Sequence, residues 1–389
     1  MAPRVLIAGI STRALAESAA RAGYRVLAVD GFGDLDLRRV AEVRLARDAR
    51  GRSSPGAAVR AARGARAEAV VYVANFENHP RAVRTLAAGR ALWGNSPEVL
   101  ERVRDPLLVA ATLARHGLAT PAVRAAAPRS GGGGGRSWLA KPRASGGGSG
   151  VVAWRPGRRA PRDAYFQERI AGVPGSIVFA ADGRRAVPLG LSRLLAGERA
   201  FGAAGFRYCG SILLGRGDAA FAGDVRLCAR AIALADTITR AFGLVGVNGI
   251  DFIARRGTPY PIEVNPRYTA AMELVERAYG LSIFDIHARA CAGRLPAFDL
   301  AAARHAPRAI GKAILYARGN IVLPDTRPWL EDDSVRDISA PGQRCRRGQP
   351  ICTIFAAGSD AAECRAALGR RAAALYAEIE SHAPCARTA

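Results

Sequence analysis

Gly246–Val–Asn–Gly–Ile–Asp–Phe–Ile–Ala–Arg–Arg–Gly–Thr–Pro–Tyr–Pro–Ile–Glu–Val–Asn–Pro–Arg267 is the stretch that decides how this chain is read. Two apolar runs flank a turn rich in Gly and Pro, which predicts a β-hairpin. Glu263 and Asn265 are two apart on the second strand and therefore share a face, while Ile262 and Val264 take the other. On the first strand Asp251 stands between Ile250 and Phe252. Whether Asp251 meets Glu263 depends on the register. A two-residue turn at Arg256–Gly257 pairs Asp251 with Ile262 and separates the acids. An odd loop centred on Gly257 pairs Asp251 with Glu263, and glycine supplies the left-handed position such loops need. The expectation is an odd loop with Asp251, Glu263 and Asn265 converging. Two carboxylates and a carboxamide are hard-oxygen ligands suited to Mg²⁺, or Mn²⁺ in its place, held together with substrate phosphates.

Upstream, Trp138–Leu–Ala–Lys–Pro–Arg–Ala–Ser–Gly–Gly–Gly–Ser–Gly–Val151 reads as a strand delivering Lys141, then a Ser/Gly loop over 145–150. Glycines let backbone N–H groups approach phosphates closely. Of 57 basic Lys and Arg residues only Lys141 and Lys312 are lysines, so a chain that otherwise writes arginine keeps a compact ammonium beside this loop. Tyr165–Phe–Gln–Glu–Arg–Ile170 and Ser176–Ile–Val–Phe–Ala180 are strands joined by a short link, the pattern of a hinge.

Arg4–Gly9, the helix Ala14–Ala22 and Tyr24–Asp30 form a βαβ unit, but Gly9–Ile–Ser–Thr–Arg–Ala lacks the further glycines of a dinucleotide fingerprint. Its helix start, with Ser11, Thr12 and Arg13, could hold an anion or simply be capped. Ala69–Asn75 is a buried strand, and His79 lies at its C-terminal end, where open α/β sheets place ligands. Ser96 or Asn95 can cap a helix carrying Pro at its first turn. A second helix covers about 105–116, and Ser130–Gly135 is expected to be a mobile loop. Residues 224–243 and 271–292 read as helical. Gly311–Ala317 is a strand, and a last helix spans about 360–381.

At 389 residues the chain is long enough for two to three domains. A net charge of +24 raises nucleic-acid binding, but the arginines are dispersed and aromatics amount to only 6%, too few for stacking platforms. No run of about 20 apolar residues suggests a membrane helix, and the N-terminus lacks the character of a signal peptide. Seven cysteines without a C-x-x-C pair read as reduced thiols. The chain is therefore expected to be cytoplasmic, with neither nucleic acid nor membrane as partner. The residues do not read an oligomeric state, and a homodimer is the default expectation.

Taken in order, the Lys141 strand with its glycine loop, the Gln167–Ile170 hinge, and Asp251 with Ile262–Glu–Val–Asn–Pro–Arg267 resemble the ATP-grasp superfamily. The resemblance covers nearly the whole chain. It implies an α/β and α+β architecture: a Rossmann-like open-sheet domain (1–94), a small subdomain with the glycine flap (95–165), a large subdomain with the metal site (166–295) and a C-terminal α+β cap (296–389). It implies that Lys141 holds the ATP phosphates under a flap of Ser145, Gly146, Gly147 and Gly148. Backbone at Glu168 and Ile170 would bind adenine, with Gln167 at the hinge. Asp251, Glu263 and Asn265 would bind Mg²⁺, and Arg267 would steady the transferred phosphate or the acyl intermediate. The acidic ribose contact common after the hinge is absent from Gly172–Ser176, and Arg102 and Arg104 stand where many members have a second phosphate lysine. Leu189–Gly–Leu–Ser–Arg, Gly205–Phe–Arg–Tyr–Cys–Gly and Gly311–Lys–Ala look like a branch associated with methanofuran- and pterin-dependent one-carbon metabolism.

The function so implied is an ATP-dependent carboxylate–amine ligase acting on small molecules. Arg193, Arg207 and Lys312 are further candidates on the acyl or acceptor side. Three alternatives stand beside it. A carboxylase would take bicarbonate, an NAD(P) oxidoreductase would rest on residues 4–30 alone, and a non-enzymatic binding module would rest on charge.

Overall fold

A computed structural model describes residues 2–128, 136–215, 218–219, 221, 224–305 and 308–382. The Ser130–Gly135 loop and Cys385 lie outside the described residues.

The first sheet is parallel, in the order β3-β2-β1-β4-β5, from β1 (Arg4–Ala8), β2 (Arg25–Asp30), β3 (Ala41–Leu45), β4 (Ala69–Tyr72) and β5 (Ala91–Leu92). β1 and β4 are apolar runs buried on both faces, as parallel strands under helices must be. The order in which strands are added reverses between β1 and β4, so the loops after these parallel strands form the crevice typical of open α/β sheets. Asp30 closes β2. Its buried carboxylate accepts from Thr12 N (2.7 Å), Thr12 Oγ1 (2.8 Å), Phe32 N (2.6 Å) and Gly33 N (2.7 Å). The protein's own carboxylate thus fills the start of the Arg13–Arg21 helix, and the anion considered for Ser11–Arg13 is internal.

The helix Pro97–Val103, with Ser96 Oγ accepting from Val99 N, and the helix Pro106–Arg115 lead into a four-stranded sheet. Its order is β6-β9-β7-β8, from β6 (Val123–Arg124), β7 (Trp138–Pro142), β8 (Val152–Trp154) and β9 (Ala164–Glu168). The Ser/Gly loop joins antiparallel β7 and β8.

The third sheet has eight strands in the order β14-β13-β10-β11-β12-β15-β19-β17. They are β10 (Val173–Asp182), β11 (Ala186–Ala196), β12 (Tyr208–Leu213), β13 (Val245–Arg255), β14 (Thr258–Asn265), β15 (Ala309–Tyr316), β17 (Val335–Arg336) and β19 (Pro350–Gly358), while β16 (Ile321–Val322) and β18 (Arg344–Cys345) pair separately. The segment after residue 296 therefore extends the same sheet rather than forming a layer over it. The helices Asp224–Phe242 and Ala361–Ser381 contribute to one apolar core, with Leu234, Ile238, Leu368 and Leu375. Ala270–Tyr279 and Ile283–Cys291 contribute to the other, which is shared with the first sheet. The helical region expected over 271–292 is these two helices, broken at Gly280, whose φ of 66° is a left-handed cap.

The hairpin differs from expectation in its turn and agrees in pairing Asp251 with Glu263. Arg255 pairs with Thr258, so the turn has two residues, Arg256 and Gly257. Both take positive φ, 50° and 70°, as a twist-matched hairpin turn requires. Regular pairing from that turn would set Ile262 against Asp251. Instead Phe252 pairs with Pro261 and Asp251 with Glu263, so Ile262 is an extra residue in a β-bulge. Proline is tolerated here because β14 is the edge strand.

A buried ion cluster ties the first sheet's helix to the last strands. Arg13 contacts Glu273, Glu17 (3.2 Å) and Asp337 (2.9 Å), and Lys312 also pairs with Glu273. Arg13 and Glu273 are 1% and 4% exposed, so each charge depends on its partners.

Candidate active site

The bulge places Asp251 and Glu263 side by side on one face of the hairpin. Gly249 pairs with Asn265 one step along, and Asn265 Nδ2 donates to Asp251 Oδ2 at 3.1 Å. Desolvation and then the Glu263 charge push the Asp251 carboxyl up to about 6. The Asn265 amide oxygen accepts from Arg267 Nη2 at 3.1 Å, so it faces the arginine and not the space between the acids.

Cations converge on these groups from three elements. Lys141 Nζ donates to Ile262 O at 2.9 Å and to Gln167 Oε1 at 3.1 Å. The residue displaced from the ladder thus presents its carbonyl to the lysine of the four-stranded sheet. Arg104 Nη1 reaches Glu263 Oε1 (2.9 Å) and Val264 O (2.8 Å), and its Nη2 reaches Ser145 O (3.2 Å). Arg267 Nη2 donates to Glu77 Oε1 at 2.7 Å. Burial drives Glu77 upward, but Arg267 outweighs it and holds the carboxyl below its ordinary range.

The glycine loop is seated against β12. Gly147 O accepts from Tyr208 N at 2.9 Å. At Gly148, with φ +75°, an added Cβ would fall 1.8 Å from Phe206 O, so no side chain fits. Ser145, Gly146, Gly147 and Gly148 therefore bridge the two sheets directly above the acids' neighbour Arg104.

The profile of the ATP-grasp domain matches residues 103–271, which span Arg104, the glycine loop, the hinge and the whole hairpin. Residues 103–271 are an ATP-grasp domain. The whole chain has the ATP-grasp fold. It superposes on a pyruvate carboxylase of Rhizobium etli with a TM-score of 0.73 at 15% identity, covering 97% of this chain and 39% of that one. It superposes on an L-amino acid ligase of Bacillus licheniformis with a TM-score of 0.67 at 16% identity, covering 96% and 98%. For an N5-carboxyaminoimidazole ribonucleotide synthetase of Thermus thermophilus the TM-score is 0.65 at 19% identity, covering 96% and 98%. No curated protein sequence matches the chain. ATP-grasp enzymes use ATP with Mg²⁺ or Mn²⁺, so these are the cofactors of this chain.

Within the ATP-grasp frame the remaining nominated residues separate. Gln167 is buried inside β9 and orients Lys141. Glu168 closes β9, its N–H committed to Ala122 O at 2.8 Å, and Ile170 lies in the link to β10. Of the two arginines considered for a second phosphate lysine, Arg104 is in the site. Arg102 instead lies over the Phe242 ring and donates to Ala241 O. Arg193 pairs laterally with Gly175, one residue off the row Ser192–Ser176–Asp251, and so takes the opposite face. Arg207 stacks on Tyr316 and binds Gly348 O. Lys312 belongs to the buried ion cluster. His79 is half-buried beside Glu77, and burial lowers its pKa.

Sequence reading missed Glu77 and Asn78. The signal was present in the polar run Asn75–Phe–Glu–Asn–His at the end of a parallel strand, where His79 alone was singled out. Among the described residues no group of three or more His, Cys, Asp or Glu could hold a metal ion. No helix among them is long and apolar enough to cross a membrane.

Proposed function

We propose that the chain is a ligase that activates a small-molecule carboxylate with ATP and joins it to an amine. The observation that carries this reading is the pairing of Asp251 with Glu263 on one face, with Lys141, Arg104 and Arg267 arrayed around them. Two adjacent carboxylates, one of them pushed toward protonation by burial and then by the other's charge, form a donor set that a hard divalent cation fits. Asp251 and Glu263 would hold Mg²⁺, with Asn265 completing the set after its amide turns from Arg267. The cation supplies charge neutralisation at the phosphates.

Lys141 and the Ser145–Gly148 loop would hold the ATP phosphates, and the Glu168–Ile170 backbone the adenine. The substrate carboxylate oxygen attacks the γ-phosphorus, the bond to ADP breaks, and an acylphosphate forms. The amine nitrogen then attacks the acyl carbon, phosphate leaves and the amine loses a proton. No nucleophilic side chain is needed. Arg267 and Arg104 steady charge that grows on the phosphoryl oxygens, and the loop excludes water. The resemblance of the 189–193, 205–210 and 311–313 stretches leads us to place the substrates in one-carbon cofactor chemistry, in the cytoplasm.

A carboxylase would share the first step with bicarbonate as the carboxylate, and the likeness to a pyruvate carboxylase keeps that reading in play. ADP release measured with a panel of carboxylates and amines, with and without bicarbonate, separates the two. Turnover that needs bicarbonate and no other carboxylate would replace the ligase by the carboxylase.

A further inference from the structure

Two consecutive residues in the short 3₁₀ helix Phe76–Asn78, which follows β4, each hold one of the site's arginines. Glu77 has a fully buried side chain, and its Oε1 accepts from Arg267 Nη2 at 2.7 Å. The same Nη2 continues to Asn265 Oδ1, and Nη1 is fixed on Tyr268 O at 2.9 Å. Asn78 Oδ1 accepts from Arg104 Nε (3.1 Å) and Nη2 (2.9 Å), while its Nδ2 donates to Ser145 O at 3.4 Å. Arg104 then reaches Glu263 and the same Ser145 carbonyl. We propose that Glu77 and Asn78 are positioning residues through which the first sheet sets the ATP-grasp site: Glu77 aims Arg267, and Asn78 aims Arg104 and the glycine loop. The inference rests on the ligase reading.

The pair differs from an ordinary docking contact in two ways. Glu77 Oε2 and Arg267 Nε are buried without a partner, so this ion pair leaves polar capacity unused, where one serving stability alone would saturate it. The two residues also divide the work by address. Arg267 stands by Asn265, toward the transferred phosphate, and Arg104 stands between Glu263 and the loop. An arginine held by a carboxylate or carboxamide loses its swing before the reaction, which is how a residue outside the reacting groups lowers a barrier.

The division supplies the test. Glu77→Gln and Asn78→Ala are made in the full chain, with Glu77→Asp as the conservative rescue. Melting temperature, Mg·ATP affinity, KM for ATP and kcat are measured for each. For Glu77→Gln, kcat is expected to fall about 100-fold with KM for ATP nearly unchanged, and Glu77→Asp to recover part of the loss. For Asn78→Ala, KM and Kd for Mg·ATP are expected to rise about 10-fold with a smaller change in kcat. A merely structural pair would lower the melting temperature and scale kcat equally in both variants without touching KM, and that result overturns the proposal. So does a Glu77→Gln enzyme that matches wild type. If the wild type itself releases no ADP with any carboxylate, the ligase reading fails. The Mg·ATP affinity of Asn78→Ala then still decides the Asn78 half.

Discussion

Lys141 Nζ donates at 2.9 Å to the carbonyl of Ile262, the residue that the β-bulge leaves without a partner on β13. One irregularity thus serves two ends. It shifts the ladder by one residue so that Glu263 faces Asp251, and it turns a backbone acceptor toward Lys141. Arg is a poor substitute for a compact ammonium at such a place. Lys141→Arg is expected to raise the KM for ATP about 10-fold or more, read from initial rates at saturating carboxylate and amine.

Asp251→Asn and Glu263→Ala remove the anionic pair. Both variants are expected to lose at least about 100-fold in Mg²⁺-dependent ATP affinity by calorimetry, while their folding is retained. Asp251→Asn also relieves like-charge repulsion, so its metal-free melting temperature is expected to equal or exceed that of wild type.

The Asp251 carboxyl, at about 6, stands above its unfolded value. Between those two values the folded chain binds the proton more tightly than the unfolded chain. The metal-free stability therefore falls as pH rises through that window. A cation between the acids competes with the same proton. The rise in melting temperature caused by Mg²⁺ is expected to be small near about pH 5 and to grow up to about pH 7. A gain independent of pH in a thermal-shift titration would place the metal elsewhere.

At Gly148 any side chain would strike Phe206 O, and φ is positive. Gly148→Ala is expected to lift the loop off β12 and raise the KM for ATP about 10-fold, with little change in global stability because the loop lies outside the apolar cores. Hydrogen exchange over 143–151 would report the lifting directly.

Glu273 neutralises both Arg13 and Lys312 in the interior, and these hold its carboxyl well below the usual range. Glu273→Ala leaves two buried cations short of a partner. It is expected to cost about 3–5 kcal/mol in denaturant unfolding.

Much of this was legible where the signal is local. The shared face of Glu263 and Asn265 followed from two-residue periodicity, and the helix at Pro97 followed from the capping residues Asn95 and Ser96 before its proline. Gly257 marked a left-handed position. Nothing near it announced that Arg256 would take one too, so the turn length was misread and the bulge at Ile262 was missed. Long-range partners were beyond such reading. Glu77 and Arg267 lie 190 residues apart, and Arg13 and Glu273 lie 260 apart. The packing of the first sheet against the hairpin, through Tyr72 and Asn95 on Pro266 O and Asn95 on Asn248, brings the former pair together. The anion at the start of the Arg13–Arg21 helix is internal for a related reason. Asp30, 18 residues on from Thr12, fills that terminus itself.

The most direct test of the ligase assignment is ADP release from Mg·ATP by the purified chain against a panel of carboxylates and amines, with mass analysis of the products. The expected result is ADP formation that requires both a carboxylate and an amine, stoichiometric with an amide product, and lost in Glu263→Ala. ADP formation unaffected by Glu263→Ala, or no amide with any pair, would contradict it.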